Sequence, residues 1–128
     1  MMKKIILLTL ALCLTVSCKS ASTEASWYGE KYRGKPMANG EAFNPDLPVI
    51  ASWDYPFGTV LELTYNGKKV YGVVWDRGPA RKLYHKGRKL DLSKSLFKTL
   101  VGDNDIGIAN VQYKKVGRYL FYRYPKNK

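Results

Sequence analysis

Two carboxylates near the middle of the chain stand where chemistry is plausible. Asp76 ends the apolar run of VVWDRGPA, residues Val73 to Ala80, and Asp91 sits between leucines in LDLS. A carboxyl at the boundary of core and solvent loses part of its hydration, which disfavours its charged form and suits a general acid. Gly78 and Pro79 fix the turn that aims Asp76, while Arg77, next along the strand, sends its side chain to the opposite face. On local sequence alone the plainer reading comes first, a turn aspartate accepting backbone N–H groups. Asp91 has the same two readings. It is an N-terminal helix cap, or a second carboxylate facing the same cleft, where two such groups divide acid and base roles or anchor sugar hydroxyls.

The remaining reactive side chains are few. His85 is the lone histidine and lies in a basic stretch, where a solvated loop residue is the simpler reading and a proton-transfer partner folded toward Asp76 the sharper one. One histidine without clustered acids or cysteines gives no metal site. Ser52 lacks a nucleophile-elbow context and takes no covalent role. Trp27, Tyr28, Trp53, Tyr55, Trp75 and Tyr84 offer flat faces for sugar rings or bulk for the core. No cofactor motif is present.

The elements that must position these groups are short. Thr59 to Tyr65 alternates, Asn66-Gly67 follows, and Lys68 to Trp75 resumes. That is a β-hairpin signal, and it puts Asp76 at the end of the second arm. Ala25 to Gly29 reads as an aromatic strand, Tyr32 to Asp46 as loop, and Arg77 to Lys89 as a basic loop. Leu92, Leu96, Phe97 and Leu100 share a helical face, capped by Ser93 or Asp91 and stopped by Gly102. Ile106, Ile108, Val111 and Tyr113 return to strand, and Tyr119 to Tyr124 is a last strand or an aromatic tail. The sum is mainly β, a small barrel with one short helix.

The chain of 128 residues suits one domain. Residues 1–18 read as a signal peptide, with Lys3 and Lys4 ahead of the apolar run Ile5 to Val16. Cys18 directly after that run resembles a bacterial lipoprotein signal, which implies lipid attachment at Cys18 and a membrane anchor; otherwise Cys18 leaves with the peptide. Residues 19–24 are a short tether, 25–116 the barrel and 117–128 a basic aromatic strand or tail. The other cysteine, Cys13, lies in the leader, so the exported domain holds together by packing alone. The net charge of +12 favours anionic partners, for an exported protein wall polymers and membrane surfaces. Nothing matches a nucleic-acid-binding motif.

Taken in order, ASWYG at 25–29, YRGKPMANGEAF at 32–43, PFGT at 56–59, NGKKV at 66–70, WDRGPA at 75–80 and LDLS at 90–93 resemble the rare lipoprotein A family, septal-ring lytic transglycosylases related to expansins. The resemblance implies a six-stranded double-psi β-barrel, a monomer, acting on peptidoglycan glycan strands stripped of stem peptides. It implies cleavage of the MurNAc-β-1,4-GlcNAc bond to 1,6-anhydro-MurNAc ends in the bacterial envelope, at the outer or cell membrane or in the periplasm. Asp76 matches the aspartate that would act as general acid and base, with Asp91 in support. Trp27, Tyr28, Asn39, Gly40, Glu41, Ser52 and Arg77 fall along the implied groove. Two positions depart from the pattern: Ser52 stands where the family commonly has a histidine, and Met37 where it commonly has a threonine. They raise the alternative of a non-catalytic or expansin-like module that grips glycan without cutting.

Overall fold

The computed structural model describes residues 20–119, so Cys18, the leader and most of the aromatic tail lie outside the described residues. Six strands close a barrel: β1 (Ala21–Tyr28), β2 (Val49–Ala51), β3 (Thr59–Tyr65), β4 (Lys68–Asp76), β5 (Arg88–Ser93) and β6 (Ile108–Arg118). Around the barrel the order is β1, β5, β2, β4, β3, β6 and back to β1. The pairs β1/β5 and β2/β4 are parallel and the other four antiparallel. Two helices, α1 (Arg81–His85) and α2 (Lys94–Val101), precede and follow β5.

The hairpin forms as its sequence requires. Asn66 and Gly67 both take positive φ, 46° and 78°, the conformation a two-residue turn needs, and β3 pairs with β4 from Tyr65↔Lys68 back to Val60↔Val73. β4 is covered on both faces. Val70 and Val74 point into the barrel with Ile50, Leu61, Leu63, Leu90 and Leu92. Val73 and Trp75 point outward, where the 30–48 connection folds Met37 and Phe43 against them. Leu96, Phe97 and Leu100 of α2 close one end of the barrel core.

Several sequence expectations change. β1 starts at Ala21, so most of the expected tether is strand, paired with β6 from Ala21↔Tyr113 onward. Its one buried residue there is polar: the Thr23 hydroxyl lies 3.0 Å from the Gly87 carbonyl and accepts from Lys89 N, which satisfies it without an apolar signal. The expected basic loop contains α1 and the start of β5. Asp91 lies inside β5 and caps nothing. Ser93 is the N-cap of α2, accepting from Leu96 N, and Gly102 ends that helix at φ 93°.

Candidate functional site

The carboxylates are brought together by the shortest strand. Ala51 of β2 is the register partner of Asp76 on one side and of Asp91 on the other. A register shift makes this so: Ile50 pairs with Val74, but Ala51 pairs with Asp76, so Trp75 is skipped. Such a bulge re-aims the following side chain. The two Cα atoms are thus separated by two strand spacings, roughly 10 Å. Both aspartates line one open cleft of about 210 Å³ with Tyr28, Tyr32, Ala51 and residues 77–80. Gly78 keeps the floor low, since a Cβ there would lie 3.2 Å from the Ala51 Cβ.

Asp76 is held by three donors. Tyr28 Oη donates to Oδ2 at 3.1 Å, and the backbone N–H groups of Ala38 and Arg77 reach Oδ1 at 2.9 and 2.8 Å. The Tyr28 ring is itself stacked on Phe43, centroids 4.3 Å apart. Ala38 is delivered by a tight turn in which Gly40 N reaches the Met37 carbonyl and Asn39 Oδ1 accepts from Glu41 N. Gly40 takes φ 87°, which favours glycine there.

Asp91 is the carboxyl with the altered acidity. Burial pushes its pKa up to about 6, and the charge of Asp76 adds to the rise. A hydrogen bond from Ser26 Oγ at 3.2 Å and the nearby Arg88 act the other way without cancelling it. Ser26 and Asp91 are register partners in the parallel β1/β5 pair.

Of the other expected site residues, Tyr28 and Arg77 reach the cleft. Arg77 turns its guanidinium away, donating from Nη1 to the carbonyls of Ser52 and Tyr55 at 2.9 Å each and lying over the Phe57 ring. Ser52 is fully buried, and its hydroxyl accepts from Asp54 N at 3.1 Å, so it faces no substrate. Met37 belongs to the outer core cluster, where a methionine fills volume. Trp27 packs against the barrel core and donates its indole N–H to the Asn104 carbonyl at 2.8 Å, away from the cleft. Asn39, Gly40 and Glu41 shape the loop that holds Asp76 and do not line the cleft. His85 is exposed at the end of α1 against Tyr84 and is not brought to either aspartate. Among the described residues no three His, Cys, Asp or Glu side chains converge as a metal site.

Sequence reasoning missed Tyr32, Ser26 and the Ala38 N–H. Tyr32 stood in the expected loop as an aromatic and was legible. Ser26 and Ala38 act through pairing and backbone, which leave no side-chain signature.

A closed barrel of this strand order, with a short strand presenting two carboxylates to one cleft, defines a double-psi β-barrel with an acidic groove. The family model for lytic transglycolase matches residues 20–113, and the chain belongs to that family. It is 42% identical over 93 residues to the probable endolytic peptidoglycan transglycosylase RlpA of Treponema pallidum, covering 71% of this chain and 28% of that protein. It is 46% identical over 78 residues to the protein of the same description from Aquifex aeolicus, covering 59% and 33%. The chain thus spans about a third or less of the length of these curated relatives. Among solved structures, apo Clavibacter michiganensis expansin superposes with a TM-score of 0.60 at 26% identity, over 77% of this chain and 51% of that one. The Streptomyces papain inhibitor shares the fold at a TM-score of 0.60 and 23% identity, over 77% and 96%.

Proposed function

We propose that the Asp76–Asp91 cleft binds the glycan strand of peptidoglycan, in an exported envelope protein anchored through lipid at Cys18. The observation that carries the reading is the pair of carboxylates flanking Ala51 in an open cleft walled by Tyr28 and Tyr32. Carboxylates accept from sugar hydroxyls, and tyrosine rings pack against the apolar faces of pyranoses. Family membership and the relatives' names support peptidoglycan as the polymer. Binding is placed ahead of cutting because no imidazole lines the cleft: Ser52 is internal and His85 points elsewhere. Co-sedimentation with purified sacculi tests it. The wild-type domain should pellet and the Asp76→Asn, Asp91→Asn double variant should stay largely in solution; a wild-type domain that does not pellet contradicts the reading.

One observation favours cleavage as a second reading. With its pKa raised to about 6, Asp91 keeps a proton in about a tenth of molecules at pH 7 and in more as the pH falls. In that chemistry Asp91, and not the Asp76 to which the family resemblance assigns the role, protonates the glycosidic oxygen O4, the C1–O4 bond breaks, and the C6 hydroxyl closes on C1. The ionised Asp91 then takes the O6 proton, so one carboxyl is acid and then base, and no water is consumed. The Asp76 carboxylate, oriented by its three donors, faces the positive charge that develops at C1. Peptide-free strands incubated with the domain should then yield 1,6-anhydro ends by mass spectrometry, lost in Asp91→Asn. Strands that bind and are recovered uncut leave binding as the activity.

A further inference from the structure

The chain from Arg81 to Lys89 carries five cations besides His85, and none of Arg81, Lys82, Lys86, Arg88 or Lys89 makes an ion pair among the described residues. Asp54 accepts from the Tyr84 hydroxyl of the same stretch. Of the five, Arg81 and Lys89 lie over aromatic rings, and Lys89 also donates to the Tyr84 carbonyl. The Arg81 guanidinium lies 3.8 Å from the centroid of the Trp53 ring. Trp53 is in turn anchored to the cleft, its indole N–H donating to the Pro79 carbonyl at 2.7 Å, and Pro79 and Ala80 line the cleft directly before Arg81. Stacking holds a guanidinium by its face and leaves the N–H fork in the plane of the group open, and Arg81 donates no hydrogen bond to any described residue. Trp53 therefore serves as a seat for Arg81, and the cleft rim ends in a pre-oriented, unused fork. That fork matches a carboxylate in two parallel bonds.

We propose that Arg81, held by Trp53, is a carboxylate subsite at the rim of the cleft, reading an acid group carried by the bound polymer. The inference rests on the glycan reading above. N-acetylmuramic acid bears a lactyl ether whose carboxyl is free on a peptide-stripped strand and amide-linked when a stem peptide is present. Stem peptides carry carboxylates of their own. Lys82 and Lys86, exposed on the same stretch, extend the positive field without fixing a direction.

The test is affinity for three fluorescently labelled strands: peptide-stripped, peptide-stripped with carboxyls converted to methylamides, and peptide-bearing. Arg81→Gln should weaken binding about tenfold, the scale of one charge-assisted pair. Arg81→Lys, which keeps the charge and loses the fork, should recover only part. Lys98→Gln, removing the same charge from α2, should change nothing. An Arg81 effect on stripped strands that vanishes on amidation assigns the lactyl carboxylate. An effect confined to peptide-bearing strands assigns the stem. If wild type binds the strands and Arg81→Gln binds both carboxylate-bearing forms equally well, the subsite is wrong and the groove stands. If wild type binds none of the three, groove and subsite fall together.

Discussion

Asp76 and Asp91 are separated by a single residue of β2: Ala51 is the register partner of both. They come from strands that do not pair with each other, and β2, lying between β4 and β5, gives them a common cleft. Their environments differ. Asp76 accepts from two backbone N–H groups and Tyr28, while Asp91 has Ser26, a nearby Arg88 and enough burial to raise its pKa. Two carboxyls with different environments in one cleft are the arrangement from which separate roles arise.

Asp91 ties that arrangement to stability. Its folded pKa, about 6, lies above the ordinary 3.8, so the folded state holds the proton more tightly. The stabilisation is fully present below about pH 4 and is lost as pH rises through about 6. Wild-type stability should therefore fall over that window. Asp91→Asn should flatten the slope and be more stable than wild type at pH 7 by on the order of 2–3 kcal/mol. Urea unfolding at pH 4, 5, 6 and 7 checks this, and parallel profiles for the two proteins would contradict it.

Ser52 separates packing from recognition. It is fully buried, and its hydroxyl accepts from Asp54 N. Ser52→Ala should cost about 1 kcal/mol of stability and leave sacculus binding unchanged. A variant of wild-type stability with impaired binding would return Ser52 to the site.

Gly72 tests how α2 seats on the barrel. A Cβ there would come 2.6 Å from Leu96 Cδ2 and 2.7 Å from Ile50 Cδ1. Gly72→Ala should destabilise by roughly 1–3 kcal/mol through overpacking, measured as a lower denaturation midpoint. No change would mean that the α2 contact yields freely.

The parts of this protein that depend on neighbours in sequence were legible in it. The Asn66-Gly67 hairpin, the Ser93 cap and the Gly102 stop each rest on backbone chemistry within a few residues. The resemblance in WDRGPA and LDLS marked both aspartates before any contact was known. What stayed hidden depends on closure. Nothing beside Asp91 distinguishes a strand position from a helix cap, because parallel pairing with Ser26 decides it. The polar start of β1 looks like a tether because its buried residue, Thr23, is satisfied by distant backbone at residues 87 and 89. Ser52 and Met37 looked like losses from a groove. Both are interior positions here, one bonded to a backbone N–H and one packed on Trp75 and Phe43.

The central claim is where the polymer sits, and backbone NMR of the labelled domain titrated with peptide-stripped glycan fragments tests it most directly. Shifts should concentrate at Tyr28, Tyr32, Ala51, Asp76, Gly78 and Asp91, and weaken together in the Asp76→Asn, Asp91→Asn double variant. Saturable shifts confined to the far wall around Glu62 and Lys114, or an unperturbed cleft at saturating glycan, would contradict the account.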